Sequence, residues 1–243
     1  MRTDLLPGLL ETIDFNIKNG SPDMYLFEIG NVFQQQKRGF KGIKETPIMC
    51  AALHGHSISL TVHGQAKATS LFTAMGHIIS LFAAAGSSEP DFEPTNSSGF
   101  ANAFKINQGK QCFGLLGTVD RKFAIELDLE IDDPVYSFHI DLDPFIELLD
   151  QQRKFAPINP YPIVERDVDF VLGEEVETGA VSGLIKGKLF PNLIAVFPLD
   201  IFRHDSLGVG AKSVTFHFKF QKPNKTLEDH DVTSVIDKIK RLV

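Results

Sequence analysis

Tryptophan is absent from this chain of 243 residues, and only two cysteines and three tyrosines are present. Cys50 and Cys112 lie in apolar stretches without metal-ligand spacing, which indicates a reducing compartment. No apolar run approaches the ~18 residues of a membrane-spanning helix, and the N-terminus has no signal-peptide pattern. We therefore expect a cytoplasmic protein without a membrane partner. The 21 phenylalanines are interpreted as core filling.

Positive charge is also scarce, with 24 Lys and Arg against 31 Asp and Glu and a net charge of −7. Most of this deficit lies in residues 1–155, which hold 13 basic and 19 acidic residues, whereas residues 156–243 hold 11 and 12. An acidic chain repels phosphate as a whole, so a nucleic-acid contact requires a local basic patch. The second part of the chain is where such a patch is expected.

The first 33 residues predict a helix followed by a buried strand. Pro7 suits a first helical turn, and Gly20 suits a left-handed cap. Apolar residues between them recur at spacings of three and four, which places them on one face: Leu6, Leu9, Leu10, Ile13 and Ile17. Leu5 and Phe15 fall on other sides of this helix. We expect these two residues at a second surface that binds a partner subunit or another copy.

The rest of the chain predicts an α+β fold in two domains. A long strand is expected over residues 47–62 and a helix over 65–85, followed by further strands. The proline-rich segment 150–162 marks a domain boundary, so that the domains span residues 1–152 and 153–243. The second domain has the order strand, helix, strand, strand, helix, which is most of a ferredoxin-like unit.

The strand at 213–220 offers the most informative polar surface. Its even-numbered residues are apolar, which leaves Ser213, Thr215, His217 and Lys219 on an open sheet face. Three further lysines extend the positive charge at the strand ends, and ferredoxin-like RNA binders use such a face. The candidate RNA-binding residues are therefore Lys212, Lys219, Lys222, Lys225 and His217. A solvated face is the alternative, because the neighbouring strand should add three acids that repel phosphate: Glu165, Asp167 and Asp169.

Neither a catalytic set nor a metal site can be nominated. His54 and His56 share one side of the expected strand, with His63 nearby, but no Cys, Asp or Glu close in sequence completes a zinc site. Structural histidines are the other interpretation. No Ser/His/Asp or Cys/His arrangement stands out. We expect no catalytic residue and no bound metal in this chain.

Several motifs resemble one known family. RTDLLPGLLETIDFNIKNG followed by LFEIGNVF is similar to the non-catalytic, class II synthetase-like core of the β subunit of bacterial-type phenylalanine–tRNA ligase. YPIVERDVDFVL, FPLDIFRHD, AKSVTFHFKFQKPNKTL and EDHDVTSVIDKI resemble the ferredoxin-fold anticodon-binding domain that closes the same subunit. The two groups of motifs fall in the two expected domains.

The resemblance implies a class II synthetase fold without its chemistry. Asn31 and residues 34–36 stand where a catalytic member has an arginine that grips ATP. The implied partners are a catalytic α subunit, which holds ATP and magnesium in an α2β2 assembly, and the tRNA. This chain would pack against the α subunit and contact the anticodon region, while binding no cofactor and catalysing nothing alone.

The resemblance also implies a C-terminal fragment of that subunit. The first domain would begin partway into its fold, and the second would lack its last strand. A free-standing, non-enzymatic binding module that reuses both folds is the alternative. Co-purification with a separately encoded α subunit separates these two possibilities.

Overall fold

The computed structural model describes residues 1–36, 42–58, 62, 64–149, 157–208 and 210–243. The chain divides into two compact units, Met1–Lys154 and Phe155–Val243. Both units combine helices with antiparallel strands, which confirms the α+β class. Within the described ranges, no helix is long and apolar enough to cross a membrane.

The first unit begins with helix α1, Leu6–Lys18, which has Pro7 in its first turn. Gly20, at a φ of +79°, follows the end of the helix as expected. Strands β1, Met24–Gln35, and β2, Ile43–His54, then pair antiparallel along their whole length. The predicted helix and strand are thus present, but the strand is not buried as expected: Val32 is its one buried residue, whereas Phe27 and Ile29 are 69% and 60% exposed.

A six-stranded antiparallel sheet forms the centre of this unit, in the order β1-β2-β8-β7-β6-β5. Its other strands are β5 Asp91–Thr95, β6 Phe100–Gln108, β7 Gln111–Val119 and β8 Tyr136–Asp141. Strands β3, His56–Ile58, and β4, Lys67–Ala68, form a separate small pair. The remaining helices are α2 Leu71–Ala84, α3 Arg121–Glu126 and α4 Leu142–Leu149.

Helices pack on both faces of the six-stranded sheet. Helix α1 packs on one face against a cluster that includes Val32, Cys50 and Ala52. Helices α2 and α4 pack on the other face against Ala51, Leu53 and other residues. Because the second half of β2 is covered on both sides, residues 47–53 form a continuous apolar run that does not alternate.

Two element boundaries differ from the sequence-based expectation. The strand expected over 47–62 ends at His54, because Gly55 adopts a φ of +79° and turns the chain. The helix expected over 65–85 begins at Leu71, because Ser70 caps it by accepting a hydrogen bond from the amide of Thr73. Strand β5 was not expected, and its Pro94 is tolerated at the edge of the sheet.

The second unit is a three-stranded antiparallel sheet in the order β10-β11-β9, covered on one face by two helices. Its elements are β9 Val164–Gly173, α5 Thr178–Gly187, β10 Leu193–Phe202, β11 Ala211–Phe220 and α6 Asp229–Leu242. Val214, Phe216, Phe218 and Phe220 of β11 point into the core beneath the helices. This strand order and the helical layer are those of a ferredoxin-like fold.

Candidate nucleic-acid interface

One face of the second sheet has no helix of the described residues packed on it. We call it the open face, and strand pairing defines its members by the residues that lie opposite one another. Strand β11 supplies Ser213, Thr215, His217 and Lys219; β9 supplies Glu165, Asp167 and Asp169; β10 supplies Ala195, Phe197, Asp200 and Phe202. The expectation that lysine, histidine and three acids share this face is therefore confirmed.

A β-bulge decides which residues of β10 reach the open face. Phe197 lies opposite His217 and Pro198 opposite Phe216, but the next paired residue is Asp200, opposite Thr215. Leu199 is the extra residue of the bulge. In a regular strand, residues an odd number of positions apart point to opposite faces. The extra residue shifts this alternation by one, so Phe197 and Phe202 lie on the same face.

Each acid of β9 on this face is paired with a donor on β11. Lys219 Nζ lies 2.9 Å from Glu165 Oε1, and His217 Nδ1 lies 2.5 Å from Asp167 Oδ1. Thr215 Oγ1 donates to Asp169 Oδ1 at 2.6 Å. We call Glu165, Asp167 and Asp169 the acid ladder. The hydrogen bond from Lys219 holds the pKa of Glu165 below its ordinary value, so this carboxyl is ionised near neutral pH.

Lys212 was predicted to belong to the basic patch, and this prediction is wrong. The residue is only 6% exposed, because it has the same strand parity as Val214 and Phe216 and points to the buried side of the sheet. Its Nζ donates to the backbone carbonyl of Glu174 at 2.7 Å. Lys212 therefore anchors the loop after β9 and is not available to a phosphate.

The other predicted RNA-binding residues are less free than the sequence suggested. Lys222 Nζ lies 2.6 Å from Asp231 Oδ2 in a mostly buried pair, which lowers the pKa of Asp231. Lys219 and His217 are paired with the acid ladder. Lys225 is exposed and has no ion pair among the described residues. The role of these four residues in RNA binding stays a prediction.

Two exposed aromatic rings on β10 were missed by the sequence analysis. Phe197 is 40% exposed and packs against the ring of His217, with centroids 5.1 Å apart. Phe202 is 54% exposed and stacks on His204, with centroids 5.8 Å apart and planes 10° apart. The phenylalanines had been interpreted as core residues. Pro198 between them was the available signal, because proline within a strand often marks a bulge or an edge.

Of the two residues predicted to form a partner surface on α1, only one lies at the surface. Phe15 is 67% exposed, as expected. Leu5 is 1% exposed and belongs to the core beside α1, so the prediction that it lies at a surface is wrong. Leu5 already has helical backbone angles, and its carbonyl accepts a hydrogen bond from the amide of Leu9. Its side chain therefore lies beside that of Leu9, four residues on, at the border of the buried face.

The two described histidines near β2 have structural partners. His54 is buried, and its Nδ1 lies 2.6 Å from the carbonyl oxygen of Pro22. His56 Nδ1 lies 3.0 Å from Asp23 Oδ1, and this pairing lowers the pKa of Asp23. His63 lies outside the described residues. Among the residues that are described, no group of three or more His, Cys, Asp or Glu could hold a metal ion.

Comparison with known proteins adds two family matches. The model of the "Phenylalanyl tRNA synthetase beta chain CLM domain" matches residues 1–142, and that of the "Ferredoxin-fold anticodon binding domain" matches residues 159–243. The phenylalanine–tRNA ligase β subunit of Lactococcus lactis subsp. lactis is 26% identical over 99% of this chain and 30% of its own length. That of Dehalococcoides mccartyi strain CBDB1 is 28% identical over 98% of this chain and 29% of its own length.

A solved structure, the pyrrolysyl-tRNA synthetase of Desulfitobacterium hafniense, aligns with 61% of this chain and 49% of its own, with a TM-score of 0.45 and 14% identity. The chain spans about 30% of the length of the curated relatives it matches. The first family match alone covers more than half of the chain, and the second follows it in order. The chain therefore belongs to the family of phenylalanyl-tRNA synthetase β chains.

Proposed function

We propose that this chain acts as part of the β subunit of a phenylalanine–tRNA ligase. Its first unit binds the catalytic α subunit, and its second unit contacts the anticodon region of the tRNA. The observation that carries the proposal is the succession of a synthetase β-chain match and an anticodon-binding match along one chain. The relatives that match over nearly all of this chain are named as β subunits of this ligase.

The open face of the second unit supports a contact with single-stranded RNA. Sequence-specific RNA recognition targets unpaired bases, which stack on aromatic side chains and hydrogen-bond along their edges. Phe197 and Phe202 present rings on this face, with polar groups of Thr215 and Asp200 between them. Stacking of one base on an aromatic ring contributes about 1 to 3 kcal/mol. Two rings and the intervening polar groups thus suit the bases of a tRNA loop better than its backbone.

The first unit supports a non-catalytic role. The resemblance places the arginine that grips ATP after the strand that corresponds to β1, and Gln34 and Gln35 stand at the end of this strand instead. Arg2 lies nearby, but its guanidinium pairs with Glu28 and donates to the backbone oxygen of Asn31. On the described strands β1 and β2, no arginine is present to hold ATP. We assign ATP, magnesium and phenylalanine to the α subunit.

Co-expression with the α subunit of the same organism tests this proposal. The chain should co-purify with the α subunit, and the isolated chain should show no phenylalanine-dependent ATP–pyrophosphate exchange. A matched control is the α subunit of an unrelated class II synthetase, which should not be retained. Exchange activity in material free of α subunit, or failure to bind the α subunit at micromolar concentrations, would contradict the proposal.

A further inference from the structure

The acid ladder occupies the surface on which the proposed function places RNA, and this inference rests on that function. Glu165, Asp167 and Asp169 are successive residues on the same side of β9, and Asp200 of β10 adds a fourth carboxylate across β11. Among the described residues of the three strands, those on the open face that carry or can take up positive charge are Lys219 and His217, and His204 stacks on Phe202 at the end of β10. Negative charge therefore outweighs positive charge on this face.

The two basic side chains of the open face already contact carboxylates of the acid ladder. Lys219 and His217 contact Glu165 and Asp167, and the Nε2 of His217 also lies 3.8 Å from Glu165 Oε1. A phosphate that approached Lys219 would have to displace an ionised carboxylate 2.9 Å away and would meet the two other acids beside it. Like charges brought together in this way oppose binding strongly. An RNA backbone laid across this face would be repelled.

The same carboxylates remain able to accept hydrogen bonds. About half of the side-chain surface of Glu165 and of Asp167 is exposed, at 50% and 54%. A carboxylate has two oxygens with several lone pairs, and each pairing with β11 uses only part of them. Carboxylates accept hydrogen bonds from the exocyclic amino groups of bases, such as N4 of cytosine. Unstacked loop bases present these groups, whereas the edges of paired bases in an RNA helix are largely out of reach.

We propose that the acid ladder determines which RNA the open face accepts. Glu165, Asp167 and Asp169 exclude the phosphate backbone and accept hydrogen bonds from unpaired bases, so that the face binds a loop and rejects a duplex. Binding then depends weakly on salt, because few phosphates are neutralised. Exposed pairs of this kind contribute little to stability, so their removal leaves the fold intact.

The test is a triple variant of the full chain, Glu165→Gln, Asp167→Asn and Asp169→Asn. The matched control removes the same number of negative charges outside the open face of the same unit, through Glu175→Gln, Glu177→Gln and Asp237→Asn. The probes are a hairpin with the anticodon loop of phenylalanine tRNA, the same hairpin with permuted loop bases, and a fully paired RNA duplex of equal length. Affinity is measured for each at several salt concentrations, and thermal melting checks the fold.

The ladder variant should bind the duplex and the permuted hairpin about tenfold more tightly than the control variant does, because like-charge repulsion is removed. Its salt dependence for these probes should steepen by about 0.7 to 0.9 for each lysine released to a phosphate. Preference for the correct loop should shrink accordingly. Equal duplex affinity and equal salt slopes in the ladder and control variants would overturn the inference.

The outcomes also separate this inference from the function on which it rests. If the parent binds the anticodon hairpin and the ladder variant behaves as the control does, only the acid ladder loses its proposed role. If neither the parent nor the ladder variant binds any probe at low salt, the RNA-binding function of the second unit fails, and the inference fails with it. Binding of the anticodon hairpin by the ladder variant alone would show that these acids repel loops as well as duplexes, which would overturn the inference.

Discussion

At the scale of single residues, burial makes one cysteine much less reactive than the other. Cys50 is 1% exposed, and burial raises the pKa of its thiol to about 12, whereas Cys112 is exposed at the start of β7. The thiolate is the reactive form, so Cys50 is both inaccessible and protonated at neutral pH. This difference follows from the position of Cys50 between β1 and β8, with Ser137 Oγ 3.9 Å from its sulfur.

A thiol-specific reagent should therefore modify one cysteine per native chain at pH 8 and two after denaturation. Mass spectrometry of peptides from the modified protein should find the native label on Cys112. The variant Cys112→Ser should show almost no labelling until it is unfolded. Rapid labelling of Cys50 in the native chain would show that the face of the sheet beneath α1 opens readily.

Asp14 connects α1 to a distant loop. It is buried, its Oδ2 accepts from Lys18 Nζ at 2.9 Å, and its Oδ1 accepts from the backbone amide of Glu130 at 3.0 Å. The hydrogen bond from Lys18 is the main reason that the pKa of Asp14 lies below its ordinary value. A lowered carboxyl pKa contributes stability above the unfolded pKa, and this contribution is lost as the pH falls through the folded value.

The variant Asp14→Ala should lower the free energy of unfolding by about 1 to 3 kcal/mol at neutral pH, because it leaves the amide of Glu130 without its partner. The difference from the parent should shrink below about pH 4, where the unfolded carboxyl becomes protonated. Glu11→Ala, on the exposed side of the same helix, serves as the control. Urea denaturation at several pH values measures both; equal stability of the two variants would contradict this role of Asp14.

At the scale of elements, the bulge at Leu199 determines the character of the open face. Strand β10 is an edge strand, and the bulge turns Asp200 and Phe202 toward the open side. A regular strand would instead have turned Leu199 and Ile201 toward that side. Because of this one extra residue, this part of the open face carries a phenyl ring and a carboxylate and not two aliphatic side chains.

Deletion of Leu199 should reverse this exchange. Phe202 would move to the other side of the sheet, and affinity for the anticodon hairpin should fall by about 1 to 3 kcal/mol, as in Phe202→Ala. Leu199→Ala keeps the bulge and should retain the affinity of the parent. Fluorescence anisotropy with a labelled hairpin measures binding, and circular dichroism checks the fold. Full affinity in the deletion variant would remove Phe202 from the RNA surface.

At the scale of the whole molecule, the exposed ring of Phe15 is the remaining sequence-predicted candidate for a contact between subunits. The neighbouring residues Glu11 and Thr12 on α1 are also exposed, so Phe15 lies within an otherwise polar helix surface. Single exposed apolar residues are common on protein surfaces, so a contact role for Phe15 depends on the binding experiment. Leu5 does not contribute, because it is part of the core.

The variant Phe15→Ser should weaken binding to the α subunit by about 2 kcal/mol or more, as expected for a central aromatic residue of an interface. Its melting temperature as an isolated chain should stay close to that of the parent. Phe72→Ser, on the exposed side of α2, is the matched control and should bind as the parent does. If both variants bind equally well, the α subunit contacts another surface of the first unit.

Local sequence patterns predicted much of the fold because they depend on residues a few positions apart. The apolar spacing between Leu6 and Ile17 predicted α1, and the alternation from Val214 to Phe220 predicted which side of β11 is buried. The same alternation already placed Lys212 on the buried side, although its charge suggested otherwise. The boundary at Gly55 and the start of α2 at Ser70 depended on backbone geometry that apolar periodicity does not encode.

The sequence by itself determined the α+β class, the strand and helix order of the second unit and the open side of β11. The ferredoxin-like strand order also placed the acids of β9 on the open side beside β11, but only the tertiary structure decided the register, which sets Glu165, Asp167 and Asp169 opposite Lys219, His217 and Thr215. These partners are about 50 residues apart, and neither strand alone specifies its register against the other. The exposure of Phe197 and Phe202 likewise required the bulge and the edge position of β10, because burial depends on which surfaces pack together and not on hydrophobicity alone.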